Sequence, residues 1–439
     1  MEGAALQHSR FNHAVQDPRT AQWILYNFMT GKLVRLDPLA YGIYLNARQL
    51  PPQTPLLANL AKEGFLTCED ELAALRHATM LDCYDASALT LTICPTMACN
   101  FACPYCFENT RAGAMDKATQ DALIGFIEQS VERFAFKRIF IVWFGGEPLL
   151  RPSIIESLSQ RIIRIAEEHM LGYGAAIITN GWFLNRENAR LLKRCRVKDI
   201  QITLDGPDPQ TNDSLRRPKN GQGSFEHITE NIKELPDGFR VKIRCNLGHH
   251  NIHMLEDMER LASRLNAECA SDVYLVPGIM DMDVAAQAAD ESLQSSYQTI
   301  GRQLLRRGYL DQDIVGAKLQ PYFTGTFCGS QNAHTYVVDE LGNLYRCWED
   351  CGKVERAFAN VESFQRFPVS CKMQSMTRYL DSAWPADDRQ CANCKILPVC
   401  MGGCPHRYME SGARRCPAFK DDLDAYVLHQ AHTRYLIGF

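Results

Sequence analysis

Residues 93–108 read Ile93-Cys94-Pro95-Thr96-Met97-Ala98-Cys99-Asn100-Phe101-Ala102-Cys103-Pro104-Tyr105-Cys106-Phe107-Glu108. Within them Cys99, Cys103 and Cys106 form a C-x3-C-x2-C run directly after the apolar, strand-like segment Ala88 to Ile93. Three thiolates this close suit three corners of a 4Fe-4S cube and leave the fourth iron without a protein ligand, open for chemistry. Structural zinc is the plainer alternative, but zinc sites usually close with four ligands, often as two C-x2-C knuckles, and this run offers three.

Outward from this run, apolar strand-like segments alternate with helical stretches: Ala88 to Ile93, Arg138 to Phe144, Ala175 to Thr179, Ile200 to Leu204, Val241 to Leu247 and Val273 to Val276. Six such units predict an α/β fold of parallel strands joined by right-handed crossovers, closing part of a TIM-like (β/α)6 barrel. In barrels of this kind the active residues sit at the carboxyl ends of the strands. The three cysteines follow the first strand, Gly145-Gly146-Glu147-Pro148 the second, Thr179-Asn180-Gly181 the third and Asp205-Gly206-Pro207 the fourth. Each of these alone is ordinary turn sequence. Four in phase with the strands mark a cofactor pocket.

A chain of 439 residues implies two or three domains. Its net charge is only -4, with both signs interspersed, so it carries no electrostatic footprint for nucleic acid or an anionic membrane. The opening Met1-Glu2-Gly3-Ala4-Ala5-Leu6-Gln7-His8 lacks a basic region followed by an apolar core, and no membrane-length apolar run follows, which predicts a cytoplasmic protein. Eighteen cysteines in a reducing compartment point to metal or redox chemistry rather than disulfides. Cys68, Cys83, Cys195, Cys245 and Cys269 stand singly and read as packed thiols.

Residues 1–85 begin with a hairpin pattern, Trp23 to Phe28, a Met29-Thr30-Gly31 turn and Lys32 to Leu36. Helical patterns follow from Pro38 to Arg48 and from Leu56 to Glu63, the second ending at Gly64. Residues 86–310 hold the barrel pattern, and 311–439 a second cysteine constellation. There, thirteen residues separate Cys328 from Gly342 and four separate Gly342 from Cys347; then come Cys391-x2-Cys394, five residues to Cys400, three to Cys404, and later Cys416. Taken alone, these cysteines also suit two zinc sites behind an N-terminal regulator fold.

Together these motifs resemble the radical S-adenosylmethionine (SAM) enzymes, and the C-terminal spacing resembles their iron-sulfur SPASM domain. The resemblance implies that Cys99, Cys103 and Cys106 hold the cluster whose open iron binds SAM, and that Phe107 lies against the adenine. It implies that the backbone of Gly145, Gly146, Glu147 and Pro148 meets the SAM amino group, that Thr179, Asn180 and Asp205 supply polar contacts, and that Arg216 or Arg217 pairs with the SAM carboxylate. The seven C-terminal cysteines would divide between two auxiliary 4Fe-4S clusters, Cys391, Cys394, Cys400 and Cys416 on one and Cys328, Cys347 and Cys404 on the other. Sulfatase-maturing relatives carry a further cysteine where this chain has His334, so the second cluster is either open at one iron or closed by His334 or Cys351. The strand-strand-helix-helix order of residues 1–85 resembles a winged-helix peptide-recognition domain, and the segment lacks the clustered basic residues of a DNA binder.

The activity implied is reductive cleavage of SAM and crosslinking of a ribosomally made precursor peptide bearing a leader, with a thioether favoured. A carbon-carbon crosslink or a residue oxidation is the alternative. The electron would come from a reductant such as flavodoxin or ferredoxin.

Overall fold

The computed structural model describes residues 6–248, 251–279, 299–304, 307, 309, 323, 325–363, 373–414 and 416–433. The chain divides into two compact units, one of Met1–Cys83, Val284–Cys328 and Ser382–Phe439 and the other of Tyr84–Asp283 and Gly329–Asp381.

The first unit opens with β1 (Gln7–His8), β2 (Asn12–Gln16), β3 (Trp23–Asn27) and β4 (Leu33–Leu36). Strands β2, β3 and β4 form an antiparallel sheet, with Val15 opposite Ile24 and Ile24 opposite Arg35. The expected hairpin is present: Asn27 Oδ1 accepts from the N–H groups of Met29 and Thr30, and Gly31 takes the left-handed conformation, φ +69°, that closes the turn. Helix α1 (Pro38–Leu45) starts at an Asp37 cap and stops at Asn46, short of Arg48. Helix α2 (Pro55–Lys62) ends before Gly64, which has φ +85°. Strand β5 (Leu66–Thr67) pairs with β1, and α3 (Glu71–Cys83), which the sequence pattern did not suggest, completes this segment.

One face of the β2–β4 sheet packs Leu25, Val34 and Leu36 against Leu57, Leu60 and Phe65. The other packs Phe11, Tyr26 and Phe28 against Ile396, Val399, Phe419 and Tyr426 from the C-terminal cysteine-rich stretch. Opposite ends of the chain thus share one core.

In the second unit β6 (Ala88–Ile93), β7 (Arg138–Trp143), β8 (Gly172–Thr179), β9 (Val197–Thr203), β10 (Arg240–Leu247) and β11 (Asp272–Ile279) lie side by side in sequence order, all parallel. Helices Lys117–Arg133, Pro152–Glu168, Arg186–Arg194, Phe225–Lys233 and Leu255–Glu268 fill the crossovers. The six expected units are present. Alternate residues, such as Ile139, Ile141 and Trp143, are fully buried, as in a sheet covered on one face by helices.

The sheet also continues past β6, where the sequence reading named no strands. Strand β12 (Thr335–Val338) pairs parallel with β6, Thr335 opposite Thr90 and Val338 opposite Ile93, and β13 (Asn343–Tyr345) and β14 (Ala359–Asn360) follow antiparallel. No helix among the described residues is long and apolar enough to cross a membrane.

Candidate functional site at the carboxyl ends of the strands

The cysteine loop leaves β6 at Cys94 and is clamped from two sides. Gly146 N–H donates to Thr96 O at 3.3 Å and Glu147 N–H to Ala98 O at 2.9 Å. A β-carbon on Gly145, whose φ is +109°, would stand 2.4 Å from Thr96 O, and one on Gly146 2.4 Å from Ala98 O. Both positions therefore need glycine for a reason closer than the expected SAM contact: the cysteine loop's own backbone crosses there. On the other side Ala102 N–H donates to Arg217 O and Lys219 N–H to Asn100 O, each at 2.8 Å.

Glu147 is completely buried. Its Oε1 accepts from Leu149 N–H at 2.9 Å and from the Thr179 hydroxyl at 2.8 Å, and its Oε2 from Asn180 N–H at 2.7 Å. Burial pushes its carboxyl above the usual range, and these donors pull it back. Asn180 in turn donates to Asn100 Oδ1 at 2.8 Å and lies 3.9 Å from Cys99 Sγ. The motifs after β7 and β8 are thus one network holding the cysteine loop.

Asp205 is also fully buried and already partnered, by Asn246 N–H at 2.9 Å and by the Tyr105 hydroxyl. Tyr105 accepts from Arg216 Nη1 at 3.0 Å. Of the two candidate arginines, Arg216 is the buried one, and its Nε meets no acceptor. Arg217 is exposed and donates to Ser214 O. The sequence reading assigned Tyr105 no role. Nothing in the local sequence marks its link to Asp205.

Phe107 is 44% exposed, its ring 6.5 Å from Phe144, which stacks at 4.9 Å on Trp348. The indole N–H of Trp348 donates to Thr92 Oγ1 at 2.9 Å. The Glu108 carboxyl is pushed up to about 8, chiefly by burial and then by the charges of Glu147 and Glu349.

The donor set fits an iron-sulfur cluster. Burial pushes the Cys99 thiol up to about 12 and raises Cys106, with Cys103 adding to both, so a bound cation is what would favour their thiolate forms. Phe101 N–H, 3.4 Å from Cys99 Sγ, is a ready donor to a thiolate. Among the described residues no three His, Cys, Asp or Glu side chains close on a single metal ion.

In the other unit Cys391, Cys394, Cys400 and Cys416 act on one another electrostatically, and Lys420 Nζ lies 3.1 Å from Cys416 Sγ. Met401, Gly402 and Gly403 all take left-handed conformations in the loop between Cys400 and Cys404. Cys328 and Cys404 belong to that unit and Cys347 to the sheet unit.

The two candidates for a further ligand, His334 and Cys351, both lie in the sheet unit. The His334 ring sits between Phe134 and Phe136, with centroids at 4.5 and 5.2 Å, beside the amino-terminal half of β6. Cys351 is buried with its Sγ 3.6 Å from Cys94 Sγ and 4.0 Å from Met97 Sδ, beneath the cysteine loop.

Residues 93–262 match the Radical SAM superfamily. The mycofactocin maturase MftC of Mycobacterium ulcerans is 31% identical over 322 residues, covering 70% of this chain and 80% of that protein. An uncharacterised protein of Archaeoglobus fulgidus is 24% identical over 355 residues, covering 75% and 77%. Among solved structures, anSMEcpe with bound AdoMet and Kp18Cys peptide aligns with a TM-score of 0.57 at 15% identity, over 79% of this chain and all of that one.

Proposed function

The chain belongs to the radical SAM superfamily, and from that membership we propose that it modifies a ribosomally made precursor peptide, closing a thioether between a cysteine and an acceptor residue. Cys99, Cys103 and Cys106 would hold the catalytic 4Fe-4S cluster. When bound, that cluster supplies the electron that splits SAM into methionine and the 5'-deoxyadenosyl radical, which removes hydrogen from the peptide.

The chain's own task is to position and to exclude water. Glu147, Thr179 and Asn180 fix the cysteine loop against the ends of β7 and β8. Arg216, with a buried Nε lacking an acceptor, is the arginine suited to the SAM carboxylate, and Tyr105 and Asp205 hold its guanidinium in place. Phe107 offers an exposed ring for the adenine. Cys391, Cys394, Cys400 and Cys416 are the set for an auxiliary cluster, and the β2–β4 sheet with α1 and α2 is the leader-recognition element. Flavodoxin or ferredoxin would be the reductant, and the cytoplasm the compartment.

The observation that carries this reading is the three-thiol loop locked by glycines and a buried glutamate at the carboxyl ends of six parallel strands. Relatedness to a protein named a maturase supports peptide modification. The test is anaerobic turnover, with SAM and strong reductant, of a synthetic peptide encoded beside the gene. The expected product has lost two hydrogens and one alkylatable cysteine thiol. A product that keeps all its free thiols removes the thioether, and no modification of any such peptide removes peptide maturation.

A further inference from the structure

Cys416 is followed by Pro417 and by a short helical turn, Ala418–Asp421, in which Lys420 N–H donates to Pro417 O at 3.0 Å. That turn brings the Lys420 ammonium back to within 3.1 Å of Cys416 Sγ. Phe419, beside it, is buried in the same core as Cys400, and Cys391 and Cys394 pack against that core. The lysine therefore stands at the sulfurs assigned above to one auxiliary cluster.

Acids nearby in the chain are engaged with backbone. Asp422 accepts from Ala425 N–H at 3.2 Å, and Asp388 from the N–H groups of Gln390 and Cys391 at 2.7 and 3.4 Å. The ammonium of Lys420 meets sulfur instead. A neutral thiol is a weak acceptor, whereas a thiolate bound to iron keeps negative charge and takes a charge-assisted hydrogen bond. A second cation approaches the same stretch. The Arg414 guanidinium stacks on Tyr408, its carbon 4.0 Å from the ring centroid, and donates to Gly402 O at 3.5 Å in the loop between Cys400 and Cys404; its buried Nε meets no acceptor. Cys99 Sγ, by contrast, is met by neutral donors, Phe101 N–H at 3.4 Å and the Asn180 amide at 3.9 Å.

We infer that Lys420 hydrogen-bonds the Cys416 sulfur of an auxiliary cluster and raises that cluster's reduction potential. This rests on the assignment of Cys391, Cys394, Cys400 and Cys416 to an iron-sulfur cluster. A reduced cluster carries one more negative charge than an oxidised one, so a fixed cation favours the reduced form. Hydrogen bonds to the sulfurs and net charge are the levers that set such potentials. Lys420 acts through Cys416 and poises this cluster to accept an electron.

The test is redox titration, read by electron paramagnetic resonance, of the reconstituted full chain carrying Cys99→Ala, Cys103→Ala and Cys106→Ala, which leaves only the signals of iron held elsewhere. Lys420→Met removes the charge and keeps the length of the side chain. It should lower one midpoint by about a tenfold loss of reduced cluster at fixed potential, or 59 mV for one electron, with iron content unchanged. Lys420→Arg should keep most of the wild-type value, and Arg414→Met should lower the same midpoint. Lys395, exposed and next to Cys394, is the control: water and salt screen its charge, so Lys395→Met should move the midpoint far less. An unmoved midpoint in Lys420→Met overturns the inference, as does an equal fall in Lys420→Arg or in Lys395→Met. Where Lys420→Met does not hold its iron, Lys420→Gln is read by the same criterion. Wild-type protein with no iron beyond the catalytic cluster overturns the cluster assignment and the inference with it, whereas full iron with an unmoved midpoint overturns the inference alone.

Discussion

Gly146 carries the sharpest prediction at the scale of one residue. A methyl group there would press on Ala98 O at 2.4 Å and Met97 O at 2.6 Å, both backbone atoms that cannot swing aside. Gly146→Ala should cost about 1–3 kcal/mol of overpacking and displace the cysteine loop. The expected readout is a lowered melting temperature and fewer irons per chain after reconstitution. Gly42→Ala, in helix α1 with nothing within 4 Å of the new carbon, should instead be neutral or stabilise by up to about 1 kcal/mol. The glycine pair was visible in the sequence, but its reason was not, because contact between Gly146 and Ala98 is a property of the folded loop. Tyr105 was illegible for the same cause: its acceptor lies 100 residues away. Cys351 reads from spacing as a candidate ligand; its contacts with Cys94 and Met97 could not be read, because they lie 257 and 254 residues away.

At the scale of elements, the six strands β6 to β11 were legible because each is an apolar run bounded by a turn and separated by a helical stretch. Strand β12 was not. Four residues, Thr335–Val338, are too few for a period to show, and their place beside β6 depends on a crossover from far along the chain. This short strand nonetheless anchors the segment that carries Trp348 and Cys351. Val337 is buried beside Cys94, Phe144 and Tyr345, opposite Thr92 in register. Val337→Asp would bury an unpaired charge and should cost about 3 kcal/mol or more. Denaturant unfolding should show the loss. A stability change below about 0.5 kcal/mol, the scale of a surface substitution, would mean that β12 is not part of the folded sheet.

For the whole molecule, the N-terminal sheet and the C-terminal cysteine-rich stretch share one core. Deleting residues 1–83 would strip Phe11, Tyr26 and Phe28 from Ile396, Val399, Phe419 and Tyr426, and each buried aromatic lost costs about 3–5 kcal/mol. The truncated chain should therefore aggregate, or lose the iron assigned to Cys391, Cys394, Cys400 and Cys416, as iron analysis and light scattering would show. Such a core could not be read in advance, since apolar side chains at opposite ends of a chain carry no spacing motif. The cysteines did carry one, and the central claim rests on them. The most direct measurement is 5'-deoxyadenosine release from SAM under strong reductant by the reconstituted wild type and by Cys99→Ala, Cys103→Ala and Cys106→Ala. Release by the wild type alone, with each variant keeping the iron held elsewhere, is the predicted result; release at the wild-type rate from any one of the three variants would contradict it.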